Sequence, residues 1–559
     1  MKNKKSISLL GILAVVAIGI TVIYLVPVTT EGPKVTVLAT TNQQSKPAKA
    51  TEIETVNYNL GKGILKTPGK VDMPYMKQGV LSIPKGKGGP YPLVVIIHGR
   101  HTIRNYEKIT EAENYYKGFT YLAESLAREK YAVISIDVNA EQFEVYKELV
   151  AAGGIDYGNS KNFERLITIY KAHMSALSKA VNGEASNFKL DLKNKINLND
   201  VTLIGHSRGG QGIDFLATNL KKEGNNSIKG MISLAPSKNL ANAPYTDVPH
   251  GFIIPEYDFD VANLEGQVSF DELKAKKGRK SWANDVFLRG ANHYYFSRKL
   301  DLSFTPNVPI DNVLEKNTIN RKQHETFLTN YATEFLGIIH GKVKPTNNFN
   351  PNNIAPQKMY GLKVMTTMYT PKTELLFSAD AKKKVKESGA KAKYVVESVD
   401  EKRNTAGYFR HPIESEFNTN GPNLNLLNVT WKNKKDKIEL PLNTADFSKF
   451  STIRLLIAQD STQKINKGRD QAFTIIFTDK KGKQSEVLVD KNTPALSYLY
   501  GVEVKSFSKP FWLGYTPLSD LRIPLALLGN INKKEIKSIS FAFNQTDTGA
   551  IMLREMVLQ

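Results

Sequence analysis

The sequence has no cysteine in 559 residues. That excludes disulfides, thiolate metal sites, a cysteine nucleophile and a lipid anchor attached through cysteine. Acidic residues are also short: 54 Asp and Glu stand against 76 Lys and Arg, for a formal net charge of +22. Such a field draws anionic lipid or acidic envelope polymers, and it equally describes a lysine-rich solvated surface. No repeat array is visible, and the histidines lack the spacing of a zinc site, so neither a repeat scaffold nor a bound metal or cofactor is expected. No nucleic-acid recognition motif accompanies the charge, and nucleic acid is not an expected partner.

What is present is an ordinary globular composition, 41% hydrophobic and 23% charged, in a chain too long for one compact core. The N-terminus is the exception. MKNKK is followed by ISLLGILAVVAIGITVIYLVPV, Ile7 to Val28, an uncharged apolar run of the length that crosses a bilayer. The reading is an uncleaved transmembrane helix with Lys2, Lys4 and Lys5 inside and the bulk of the chain extracellular; the alternative is a cleaved signal and secretion. Residues 29–56 are polar and aperiodic, a tether.

From about residue 57 to 342, short β-branched runs alternate with longer amphipathic segments. PLVVIIHG, YAVISIDV, VTLIG, GMISLAP, GFIIPEY and DVFLRG are nearly continuous apolar runs, the mark of strands buried on both faces. GFTYLAESLAREK and NFERLITIYKAHMSALSKAV carry helical spacing, which turns His173 toward the core, and a helix from about Thr318 to His340 closes the unit. Residues 343–358 are rich in Pro and Asn and read as a linker. Beyond them, residues 359–559 hold strand-length runs such as STIRLLIAQD, QAFTIIFTD and IKSISFAFN between KKGK and DTGA turns, the pattern of an all-β sandwich.

The chemistry concentrates around VTLIGHSRGGQG. Gly205-His206-Ser207-Arg208-Gly209 follows a buried strand and opens the amphipathic segment GIDFLATNLKK. A serine on such a strand-to-helix turn has its hydroxyl exposed, and small residues two before and two after it relieve crowding. A neutral serine needs a histidine base, and that base needs a carboxylate. Of the histidines after Ser207, only His293 follows a strand in a glycine-bearing loop, GANHYYF; His324, His340 and His411 read as structural. For the acid, the loop GFIIPEYDFDVANLEG offers Glu256, Asp258 and Asp260; Asp260 is preferred, with Asp258 as the alternative. The oxyanion would be held by the backbone N–H of Arg208 and of Arg100 in IIHGRHT, with His101 a second choice for the latter, while His98 and His101 shape that loop.

The HGRH loop, GHSRGG elbow, YDFDV loop and GANHYYF loop together resemble the α/β-hydrolase superfamily. The similarity is to the secreted esterase branch of dienelactone-hydrolase-like, platelet-activating-factor-acetylhydrolase-like and polyester-hydrolase enzymes, and with the trailing sandwich it spans most of residues 57–559. The resemblance implies an α/β fold with a mostly parallel sheet and flanking helices, followed by a jelly-roll-like sandwich. It also implies an extracytoplasmic carboxylic ester hydrolase working through an acyl-enzyme. A peptidase or amidase would use the same triad, and a binding protein on a dead scaffold is the non-enzymatic alternative. The sandwich suggests a glycan or anionic envelope polymer as a partner. Tyr257, Phe259, Tyr294, Tyr295 and Phe296, beside the acid and base, would either stack on a substrate ring or belong to the core, and residues 144–159 suggest a rim over the pocket.

Overall fold

The computed structural model describes residues 51–66, 72–101, 110–141, 163–237, 245–261, 264–304, 317–397, 424–459, 461, 463–500, 502–505, 510–513 and 516–559. The first unit comprises β1 (Ile53–Lys66), β2 (Asp72–Pro84), β3 (Tyr91–Ile97), α1 (Thr120–Arg128), β4 (Ala132–Ile136), α2 (Glu164–Val181), β5 (Ile196–His206) and α3 (Arg208–Lys222). It continues with β6 (Ile228–Leu234), β7 (His250–Tyr257), α4 (Glu265–Lys274), β8 (Ala283–Asn292), α5 (Arg321–Ile339), β9 (Lys358–Met359) and β10 (Leu362–Tyr369). Its ten strands form one sheet in the order β1-β2-β4-β3-β5-β6-β7-β8-β10-β9.

The central strands bury both faces because successive side chains point to opposite sides. Leu93, Val95 and Ile97 of β3 pack with α2 and α3, while Val94 and Ile96 pack with α1 and α5. His173 is buried on α2, its Nδ1 2.9 Å from the Tyr58 hydroxyl.

The expected fold class is corrected by the sheet itself. Four of its nine pairings are antiparallel, β1 on β2, β2 on β4, β10 on β8 and β9 on β10. Among the described residues strand exceeds helix, 38% against 25%. The molecule is mostly β around a mixed sheet, and a mostly parallel α/β-hydrolase sheet with flanking helices does not describe it. The physical reason lies at the two edges. β1 and β2 are 14 and 13 residues long and pair with each other along most of their length, so they add antiparallel area before the first parallel strand. At the far edge, β9 and β10 carry the sheet through residues assigned to the linker and to the second domain.

The expected membrane placement is also corrected. Among the described residues no helix is long and apolar enough to cross a membrane. The expected span, Ile7 to Val28, and most of the tether lie outside the described residues, so a single-pass, extracellular arrangement has no support in the structure.

Among the described residues from 374 to 559 there are two larger antiparallel sheets and a two-stranded one, Val502–Lys505 on Pro510–Leu513. One of the larger two contains Lys391–Glu397, Leu424–Trp431, Gly549–Leu558, Thr452–Gln459 and Ser519–Pro524, with Glu374–Ser378 added on Gly549–Leu558. The other contains Lys386–Ser388, Lys437–Ala445, Ile536–Ala542, Phe473–Asp479 and Gln484–Val489. Leu455 and Ile457 from the first sheet and Ile475 and Phe541 from the second meet in one core, which makes the unit a sandwich.

Candidate functional site

Strands β3, β5, β6, β7 and β8 run parallel as neighbours, so their carboxyl ends share one edge of the sheet. Loops leaving that edge converge, which is where open sheets place their chemistry. His98 to Arg100 leave β3, Ser207 leaves β5, Asp258 leaves β7 and His293 leaves β8.

Ser207 stands between the end of β5 and the start of α3 at φ +56° and ψ −126°, a conformation that costs a non-glycine residue on the order of 1–3 kcal/mol. Backbone bonds on both sides hold it there. Its N–H donates to Leu234 O at 2.9 Å, and its carbonyl accepts the first helical bond from Gly210 N at 2.8 Å. The flanking glycines are required by the same turn. A Cβ on Gly205 would stand 2.3 Å from Gly209 O, and one on Gly209 would stand 2.6 Å from both Ile97 O and His98 O. The elbow is therefore packed backbone against backbone on two sides, and only hydrogen fits.

The β3 loop lies directly against the serine: a Cβ at Gly99 would be 2.6 Å from Ser207 Cβ. His98 is buried, and its Nε2 accepts the Val138 N–H at 3.0 Å, which leaves the proton on Nδ1. Nδ1–H then donates to Gly99 O at 2.8 Å. Because C=O and N–H are antiparallel across a peptide plane, this turns the Arg100 N–H away from the His98 ring. Arg208 N is the first N–H of α3, at the positive end of the helix dipole. The Arg208 side chain folds back over the Phe163 ring, 4.5 Å from its centroid. His101, the other expected donor, rests its ring on Tyr115 at 4.7 Å and near His206 at 5.9 Å.

His293 is fully buried with a carboxylate on each ring nitrogen. Nδ1 lies 3.0 and 3.1 Å from the two oxygens of Asp258, and Nε2 lies 3.5 Å from Asp260 Oδ2. Asp258 is itself buried and fixed, Oδ1 accepting the backbone N–H of Asp260 at 3.1 Å and of Val261 at 2.7 Å. The position against Nδ1 thus belongs to Asp258. The expected acid, Asp260, instead approaches the other nitrogen from a half-exposed position, because the turn closed on Asp258 Oδ1 sends the two side chains to different sides of the ring. Glu256 is taken up elsewhere, by Arg289 Nε at 3.0 Å and Gly290 N at 2.8 Å.

Burial favours neutral His293, but the charges of Asp258 and Asp260 outweigh it and hold the imidazole above the usual histidine range. Asp260, although half-exposed, is pushed up by the protein crowded around its carboxyl group and by Asp258, against the pull of His293 and Arg100. Burial, then the neighbouring histidines, drives His206 and His101 well below the usual range, so both are neutral near pH 7.

His206 is the contributor that sequence reasoning missed. Being neutral, it donates Nε2–H to the His293 carbonyl at 3.0 Å, and the two rings stand 4.7 Å apart. The histidine before the serine thereby ties the turn at Ser207 to the loop that carries His293. Its place at the last position of β5 was the only signal. His324, read as structural, accepts the Asn292 N–H at 2.9 Å and steadies the residue preceding His293.

The aromatic residues beside the site are largely core: Tyr257, Tyr294 and Phe296 are buried, and Phe259 packs in the Tyr257 cluster. Residues 144–159, the expected rim, lie outside the described residues. Among the described residues no set of three or more His, Asp or Glu side chains is arranged to hold a metal ion. No protein-family model matches the chain, and no curated protein matches it.

Proposed function

We propose that this protein is a serine hydrolase that cleaves carboxylic esters through an acyl-enzyme, with Ser207 as nucleophile, His293 as base and Asp258 as the group that orients it. The observation carrying the reading is the strained turn at Ser207, whose preceding residue His206 is bonded to the carbonyl of a buried histidine, His293, that in turn holds a buried aspartate at its Nδ1. Strain of this kind persists where the surrounding structure enforces it, and such positions cluster at sites of chemistry.

In the proposed reaction, His293 Nε2 takes the Ser207 proton as Oγ attacks the ester carbonyl. Asp258 keeps the proton of the neutral imidazole on Nδ1 and stabilises the imidazolium that forms. The oxyanion is received by the N–H groups of Arg208 and Arg100, backed by the N-terminus of α3. Collapse of the tetrahedral intermediate returns the His293 proton to the leaving alkoxide, and water then releases the acid by the same steps in reverse.

Turnover of p-nitrophenyl acetate and butyrate by the full chain and by Ser207→Ala tests the reading. Loss of Ser207-dependent turnover is expected; equal rates would overturn it. Exclusive cleavage of peptide substrates would replace the esterase reading with a peptidase.

A further inference from the structure

We propose that the sandwich is a working part of the catalytic site, its outer face holding the loop that carries Asp258 in register with His293. The inference rests on the triad reading and concerns what fixes the acid.

One sandwich strand is buried on the face turned away from the sandwich core as well as on the face turned toward it. In a two-sheet sandwich one face of each strand meets the core and the other meets water, so polar and apolar residues alternate. Thr452–Gln459, TIRLLIAQ, is buried at all positions. Ile453, Leu455 and Ile457 point into the sandwich core, while Leu456 and Ala458 belong to a different cluster. That second cluster joins the two units. From the sandwich it takes Leu424, Leu426, Leu456, Leu518 and Met552; from the first unit it takes Ile254, Tyr257 and Phe287. Phe259 packs against it, and the Tyr257 and Phe259 rings stack with centroids 6.3 Å apart and planes 11° from parallel.

Tyr257 and Phe259 are the two neighbours of Asp258. The residue that orients the base is therefore bracketed by two aromatic rings embedded in, or resting on, the apolar face of the sandwich. Polar contacts close the same seam. Gln267 Nε2 donates to Leu518 O at 2.8 Å, Arg454 donates to Met368 O at 3.1 Å, and Asp520 accepts the Met368 N–H at 2.9 Å. A freely tethered binding module would present that face to solvent or to its ligand; here it is occupied by the acid loop and its supports.

Leu455 and Leu456 supply the test, since they are adjacent, both buried, and on opposite faces of one strand. In the full chain, Leu455→Ala and Leu456→Ala should lower the melting temperature comparably. Leu456→Ala should also lower kcat about tenfold, the cost of a misplaced catalytic group at the mild end, and move the acid limb of the kcat/KM profile to lower pH. Leu456→Met should restore both, and Leu455→Ala should change neither. Leu456→Val provides a milder version should the alanine variant fail to fold. The hydrogen-bonded Nδ1 proton of His293, read by proton NMR and identified by its loss in His293→Gln, should shift in Leu456→Ala alone. That readout does not depend on turnover. A shift confined to Leu456→Ala in a protein lacking Ser207-dependent activity would support the buttress and reject the hydrolase reading. Equal effects of the two variants on kcat, pH profile and resonance, or no effect of either, would overturn the buttress.

Discussion

Asp258→Asn is expected to lower kcat for ester hydrolysis by about four orders of magnitude, equivalent to about 5 kcal/mol of barrier. The magnitude follows from the geometry. Asp258 meets Nδ1 at 3.0 and 3.1 Å from a buried position, and the same carboxylate accepts two backbone N–H groups that lock it there. An asparagine of the same shape presents an amide donor toward Nδ1, favouring the tautomer with its proton on Nε2, which cannot accept the serine proton. Asp260→Asn should behave differently. Its carboxylate lies 3.5 Å from Nε2 and is half-exposed, so kcat at high pH should stay within about tenfold of wild type. Its negative charge, however, helps hold His293 protonated. Activity requires neutral His293, so wild-type kcat/KM should rise with pH through a value above the ordinary histidine range. Removing the Asp260 charge should move that limb to lower pH. The assay is a full pH profile of p-nitrophenyl butyrate hydrolysis for the two variants. A loss of about four orders of magnitude in Asp260→Asn with little change in Asp258→Asn would refute the assignment.

Gly209→Ala places a methyl 2.6 Å from two backbone oxygens and should destabilise the protein by about 1–3 kcal/mol, measured by urea unfolding, while slowing turnover because the elbow must shift. His206→Phe should remove the donor to His293 O and cost about 1–3 kcal/mol, with kcat falling more than KM changes. At the seam, burial opposes ionisation of Glu555, but Lys274, Arg454 and Arg554 outweigh it and lower its carboxyl to about 2. The resulting stability is fully present above the unfolded value of about 4.5 and is lost as pH falls toward about 2, on the order of 3 kcal/mol. Melting temperature against pH should show this acid-side loss in wild type, and Glu555→Gln should flatten it. Arg454→Met should cost about 1–3 kcal/mol in thermal or urea unfolding, since it removes the 2.7 Å partner of the Glu555 carboxylate, which keeps Lys274 at 3.3 Å, and the hydrogen bond to Met368 O.

Where the sequence was locally decisive, the structure follows the chemistry. VTLI before Ser207 and the glycines on either side encode a strand, a turn and a helix within a dozen residues, and the close approach of Gly205 to Gly209 explains both glycines. The two aspartates of YDFDV could not be ranked that way. Which one faces Nδ1 depends on a turn that closes on Asp258 Oδ1 and on aromatic neighbours seated against a unit some two hundred residues away in sequence. The mixed character of the sheet was hidden for a related reason. Long edge strands such as ETVNYNLGKGILK are half polar and broken by glycine, so they do not announce themselves as apolar runs, yet they decide the direction of the sheet's edge pairings. The apolar run LLIA within TIRLLIAQ was visible in the sequence, and its meaning, a strand covered on each face, needed the second face to be seen.

In the proposed reaction Ser207 is a nucleophile activated by His293. Mapping the adduct of a fluorophosphonate probe on the full chain by peptide mass spectrometry tests it most directly. One stoichiometric adduct on Ser207 is expected, absent in Ser207→Ala and strongly slowed in His293→Gln. No adduct on Ser207, or labelling at an equal rate without His293, would contradict it.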